Sequence, residues 1–200
     1  MEVHLPPEPH PGLAAARAAR AIGPRPEPEA LRTAYLELLK LCLCDLEGST
    51  TVSVGRTRDG LVMSRELEGD QLKLRSASMD WPLQGLTMIG LSRLDDLQRC
   101  VEAVVRERVD GDLIEAGAWR GGAAILMRAT LDSLAGDPRE VWVADSFQGF
   151  PPGGERDFPP ERELDDLGVF DFLAVPLEEV EANFARFGLE RGVRFVPGFF

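Results

Sequence analysis

"GDLIEAGAWRGGAAI", Gly111–Ile125, is the stretch that decides the fold. It opens as a short apolar run closed by an acid, the pattern of a buried strand. The chain then turns through residues with little or no side chain. Downstream, "WRGGAAILMRATLDSLAG" is apolar almost all round, which suits a helix buried against a sheet. "EVWVADSF" gives a second strand, "PLEEVEANFARFG" a helix with Pro176 near its start, and "GVRFVPGFF" a third strand. Strand, helix, strand, helix, strand predicts an α/β fold: a parallel sheet with right-handed crossovers.

Upstream, Leu91, Leu94, Leu97, Val101, Val104 and Val105 predict a helix from about Gly90 to Arg108. Leu31, Ala34, Tyr35, Leu38, Leu39 and Cys42 recur at helical spacing and predict an amphipathic helix over 29–44 with that stripe inward. From there to Asp80 the sequence is polar and punctuated by glycine, and no secure element or chemistry is legible. Residues 1–28 read as a flexible leader rich in Pro, Ala and Arg. Its "LAAARAARAI" is too short to hold a helix unless docked.

Composition removes several kinds of chemistry. A net charge of −12 argues against a nucleic-acid partner, which needs a basic face. No signal peptide and no apolar run of spanning length appear, so no membrane partner is expected and the setting is read as cytoplasmic. Cys42, Cys44 and Cys100 show no zinc spacing and read as small packing residues in a reducing compartment. The two histidines, His4 and His10, sit in the leader, so a histidine base or a Ser-His-Asp triad is not expected. A P-loop is absent too. The chemistry falls to acids, arginines and backbone groups.

In a parallel sheet the ligand sits at the carboxyl ends of the strands. Glu115–Gly122 occupies that place, and Gly117, Gly121 and Gly122 clear Cβ atoms where a ligand could touch the main chain. The N-terminus of the next helix offers free N–H groups to an anionic group. A tight, closely packed strand-to-helix turn with no ligand explains the same glycines. Asp145 closes the second strand beside this loop, where a carboxylate can accept two ribose hydroxyls; a cap or turn role is its alternative. A dinucleotide fingerprint reads G-x-G-x-x-G with an acid about 20 residues on. "EAGAWRGG" departs from that, the strand-end acid comes later, and Glu115 would meet a pyrophosphate with like charge. S-adenosylmethionine fits better: Glu115 toward its ammonium or sulfonium, the loop N–H groups toward its carboxylate.

Trp119 either stacks on the cofactor or packs the loop, and Arg120 is expected to pair with Glu115 rather than face an acceptor. Phe147, Phe150 and Phe158 either line an acceptor pocket or pin the long connection down. The acids of "ERELDDLG" read as a solvated face.

"TMIGLSRLDDLQ", "GDLIEAGAWRGGA", "VWVADSFQGFPP", "LEEVEANFARFGL" and "VRFVPGFF", in that order, resemble the macrocin O-methyltransferase family from about Ala34 to the last residue. These are class I, S-adenosylmethionine-dependent enzymes that methylate sugar hydroxyls in antibiotic biosynthesis. The resemblance implies a Rossmann-like fold divided into the leader 1–28, a helical N-terminal cap region 29–108, and the N-terminal half of the cofactor domain, 109–200. By the same resemblance, the C-terminal half of the sheet is expected to lie outside these 200 residues. It also implies cofactor contacts at Thr87 and Met88, at Glu115, Ala116, Gly117, Ala118 and Trp119, and at Asp145, Ser146, Phe147, Gln148 and Gly149. A serine of the family before the 177–187 helix is not transferred, since "AVPLEEV" stands there. The acceptor implied is a small glycosylated molecule, and a homo-oligomer is compatible with the family. Magnesium held by acids, one of them the base, is expected in a later D-G-D-like segment. No metal ligand or catalytic residue is therefore assigned between 1 and 200, and this chain alone is expected to bind cofactor weakly at best and to turn over nothing. A nicotinamide-dependent dehydrogenase half and a non-catalytic docking relative are the competing readings.

Overall fold

The computed structural model describes residues 26–56, 62–134, 136–150 and 171–199. The expectations for the leader, Phe158 and the "ERELDDLG" acids lie outside them. The chain divides into units of residues 1–33 and 34–200; the first contributes the opening turns of α1 (Pro28–Leu43).

The second unit carries two sheets. β1 (Thr50–Arg56), β2 (Val62–Glu68) and the two-residue β3 (Trp81–Pro82) form an antiparallel sheet in the order β2-β1-β3. A 3-10 turn (Gly69–Gln71) and α2 (Leu72–Ser76) connect β2 to β3. Then come α3 (Leu91–Arg106), β4 (Leu113–Ala116), α4 (Gly122–Ser133), β5 (Val141–Asp145), α5 (Leu177–Phe187) and β6 (Val193–Pro197), with a 3-10 turn at Asp171–Leu173. The three later strands pair in parallel in the order β4-β5-β6, with Leu113 opposite Val141 and Val141 opposite Val193. This is the α/β architecture the sequence predicts.

The core lies on one face of the parallel sheet. Val141 and Val143 are fully buried there, and Val193 and Phe195 pack against the same cluster. α4 is sequestered from Gly122 to Leu131, which is why its sequence has no polar face. Phe184 of α5 meets Phe195 edge-on at 5.6 Å. On the opposite face Ile114, Trp142 and Val196 remain 66 %, 37 % and 41 % exposed. Apolar surface is therefore open on that side among the described residues.

Two expectations are corrected. α1 buries Leu36, Leu39, Lys40 and Leu43, while Leu31, Tyr35 and Leu38 are exposed. The buried face is rotated from the one read from spacing: it keeps Leu39 but takes Leu36 and Leu43 in place of Leu31, Tyr35 and Leu38. Lys40 is tolerated inside because its ammonium meets Glu37 at 2.6 Å and also Asp95. The 29–108 region is likewise not helical throughout. β2 hides only Leu67, so no alternation of apolar and polar residues advertises it.

Arg75 of α2 holds the antiparallel sheet to its surroundings. Its Nε donates to both Asp80 oxygens at 3.0 Å and its Nη2 to Asp80 Oδ2 at 2.7 Å and the Val52 carbonyl at 3.0 Å. Its Nη1 donates to the Cys44 carbonyl and Thr51 Oγ1, both at 3.0 Å. Both charged side chains are 3 % exposed. Removing one partner of a buried pair strands the other charge. Arg75→Ala is therefore expected to lower unfolding free energy by about 3–5 kcal/mol in urea titration. A loss under about 1 kcal/mol would show that this pair does not anchor the sheet.

Candidate functional site

At the carboxyl ends of the parallel strands lies a cavity of about 390 Å³, inside the range of about 300–1,000 Å³ usual for small-molecule sites. Met88, Gly117, Trp119, Asp145, Ser146 and Gly149 line it, six of the residues expected to contact the cofactor. Phe150, one of the candidates for an acceptor pocket, lines it as well, together with Leu173, Gly198 and Phe199. Gly198 and Phe199 follow β6 directly, so the strand-end rule that singles out Asp145 points to them equally. Leu173 has no such signal, because it closes a long connection.

Asp145 ties the two strand-end loops together. Its Oδ2 accepts the Trp119 N–H at 3.0 Å, and its Oδ1 accepts the Phe147 N–H at 2.9 Å. Oδ1 also has the Ser146 hydroxyl at 3.4 Å, whereas Oδ2 keeps a lone pair that a ligand can use. The turn after Asp145 is closed by Ser146 Oγ, which donates to the Gly149 carbonyl at 2.8 Å and accepts the Gln148 N–H at 3.1 Å. Phe147 has φ +55 and a buried ring against Phe195 at 6.4 Å, so it packs the core and does not line the cavity. Gln148 is exposed, and Thr87 is buried with its Oγ1 accepting the Ile89 N–H at 3.3 Å. Ala116 lies on the open face of the sheet and Ala118 is buried in the turn. None of these four lines the cavity.

The glycines divide in role. Gly117, at φ +82, has open space where a Cβ would stand and lines the cavity. A Cβ on Gly121 would stand 2.9 Å from Val180 Cγ1, and one on Gly122 2.5 Å from the Leu86 carbonyl oxygen. Those two glycines serve packing, and the ligand reading of them is corrected.

Glu115 is also placed differently from expectation. It does not line the cavity; its Oε2 accepts the Ala124 N–H at 2.9 Å, inside the first turn of α4. The Gly122 N–H goes to the Leu86 carbonyl at 2.9 Å, and the Gly117 N–H to the Ala144 carbonyl at 2.8 Å. With the Trp119 N–H on Asp145, much of the expected anion cradle is already engaged by the protein. Burial, opposed by the Ala124 bond and helped by nearby Asp145, pushes the Glu115 carboxyl up to about 7. Arg120 does not pair with Glu115. It donates from Nη1 to the carbonyls of Leu83 at 2.8 Å and Gly85 at 3.0 Å, and stands 3.8 Å from Glu179. Trp119 lines the cavity, and its Nε1 ties it into the loop by donating to the Phe172 carbonyl at 2.9 Å.

No group of three or more His, Cys, Asp or Glu is placed to hold a metal ion among the described residues. Likewise, no helix among them is long and apolar enough to cross a membrane.

The macrocin O-methyltransferase family (TylF) matches residues 33–200. The 8-demethyl-8-(2,3-dimethoxy-alpha-L-rhamnosyl)-tetracenomycin-C 4'-O-methyltransferase of Streptomyces olivaceus is 43 % identical over 174 residues, 86 % of this chain and 63 % of its own length. The mycinamicin III 3''-O-methyltransferase of Micromonospora griseorubida is 44 % identical over 129 residues, 63 % of this chain and 51 % of its own. The solved structure of the O-methyltransferase NovP matches with a TM-score of 0.69 at 38 % identity, covering 84 % of this chain and 64 % of that one. The chain thus spans less than two thirds of the length of each of these proteins.

Gly122→Ala is expected to lower Tm clearly more than Gly117→Ala does, because its Cβ meets fixed backbone at Leu86. Gly117→Ala should cost only the strain of a left-handed alanine, about 1–2 kcal/mol. Equal Tm losses would remove the division between them. A second expectation concerns pH. Glu115 titrates near 4.5 when unfolded and near 7 when folded, so between those values the native state binds the extra proton. Its contribution to stability is full below about 4.5 and is lost as pH rises through about 7. Glu115→Gln should therefore gain Tm relative to the parent chain from pH 5 to pH 8. A constant difference would show that the carboxyl is not held protonated.

Proposed function

The chain belongs to the macrocin O-methyltransferase family, and from that membership we propose that its cavity binds S-adenosylmethionine for methyl transfer to a sugar hydroxyl of a glycosylated secondary metabolite. The observation that carries the reading is the pairing of the bare backbone at Gly117 with the Asp145 carboxylate, at the ends of adjacent parallel strands and in one cavity.

The donor, when bound, supplies a methyl group on a cationic sulfonium. Asp145, already fixed by two backbone N–H groups, offers its remaining Oδ2 lone pair to a ribose hydroxyl. Gly117 lets the donor lie against main chain. Trp119, Met88, Phe150, Leu173 and Phe199 exclude water from the aromatic and thioether parts. Among the described residues the charged one lining the cavity is Asp145, which suits a cationic ligand and opposes a pyrophosphate. This favours the methyl donor over a nicotinamide dinucleotide.

Magnesium, which the family implies, has no fitting set of ligands among the described residues. The proposed setting is the cytoplasm, in keeping with three free cysteines.

Calorimetric titration of the chain with S-adenosylhomocysteine and with NADH tests the reading. S-adenosylhomocysteine should bind, weakly but measurably, and NADH should not. Asp145→Asn should weaken the former about tenfold or more, from lost charge-assisted hydrogen bonds. Tighter binding of NADH would overturn the assignment.

A further inference from the structure

Trp119 is a cavity wall held in an unfavourable backbone. Its φ is +50, a left-handed conformation that bulky residues rarely adopt. The Asp145 carboxylate holds its N–H and the Phe172 carbonyl holds its indole N–H. Those contacts fix two edges of the residue, but neither presses on the ring face.

Arg120 does. Its guanidinium carbon lies 4.3 Å from the centroid of the Trp119 ring. The guanidinium is itself fixed through Nη1 to the Leu83 and Gly85 carbonyls, and Glu179 of α5 stands 3.8 Å from Nε. That Nε is buried and has no hydrogen-bond partner among the described residues. The backbone of Arg120 is pinned as well, its carbonyl accepting Asn183 Nδ2 at 3.1 Å. A buried cation with an incompletely satisfied Nε is costly, and a simple turn residue at this place would avoid that cost. A planar cation stacked on an aromatic face is the return for it.

We propose that Arg120 is a positioning residue: anchored on the Leu83 and Gly85 carbonyls, it holds the Trp119 indole as a rigid wall of the ligand cavity. It acts on the ligand through Trp119 and does not itself line the cavity. The claim rests on the methyl-donor reading only for the choice of probe.

The test uses the full chain with Trp81→Phe and Trp142→Phe, which leaves Trp119 as the sole tryptophan. Two quantities are read: acrylamide quenching of Trp119 fluorescence without ligand, and the Kd of S-adenosylhomocysteine. Arg120→Ala should raise the quenching constant and weaken binding about tenfold. Arg120→Lys keeps the charge but lacks the planar face and the fork, so it should recover little of either loss. It also serves if the alanine variant does not fold. With Trp119→Leu already in place in the otherwise unaltered chain, adding Arg120→Ala should change Kd less than about twofold, because the route through the indole is gone. Unchanged quenching in both Arg120 variants, full rescue by lysine, or an undiminished Kd effect in the Trp119→Leu background would each overturn the proposal. Failure of the parent chain to bind S-adenosylhomocysteine, with quenching still sensitive to Arg120, would sink the donor reading and leave the clamp standing. Binding that is indifferent to Arg120 would do the reverse.

Discussion

The carboxylate of Asp145 is the constraint on which the site depends. β4 and β5 run in parallel, so their carboxyl ends arrive side by side, and the two loops leaving them would otherwise be independent. Asp145 joins them by accepting one N–H from each, Trp119 on one side and Phe147 on the other. Both donors have positive φ, at +50 and +55, a conformation neither side chain favours. The hydrogen bonds to an ionised acceptor offset that strain. One result is a cavity whose walls, Trp119 and the 145–149 turn, are set by a single side chain.

Much of this was legible because the signals are local and strong. The apolar runs at 113–116 and 141–145, the uniformly apolar α4 and the turn glycines each admit few alternatives. What failed was what depends on packing partners. Leu31, Tyr35 and Leu38 make as good a stripe as Leu36, Leu39 and Leu43, and spacing cannot say which one finds a core. β1 carries Thr50, Thr51, Val52 and Val54, a β-branched signal that could have been read. Its partner β2 is almost wholly exposed and offers none. For the site, sequence located the loops but not the direction of each side chain. Glu115, Gly121 and Gly122 sit in the right loop and turn inward to α4, α5 and the 86–87 segment.

That inward turn has an electrostatic consequence. In nucleotide-binding turns the first helical N–H groups and the helix dipole are left open for phosphate. Here the Ala124 N–H ends on the Glu115 carboxyl and the Gly122 N–H on the Leu86 carbonyl. Arg120, the cation of the loop, is engaged on the Leu83 and Gly85 carbonyls and on a face of the Trp119 ring. An anionic group entering the cavity therefore meets Asp145 with little of the usual compensation. A ligand bearing positive charge meets a fixed carboxylate in a partly apolar surround, where the attraction is screened less than in water. Under the proposed function, the same backbone turn that would serve a pyrophosphate in another sequence is disposed by Glu115 and Arg120 toward a cationic donor. Such selectivity would come from which backbone and side-chain groups the protein has already paired with one another.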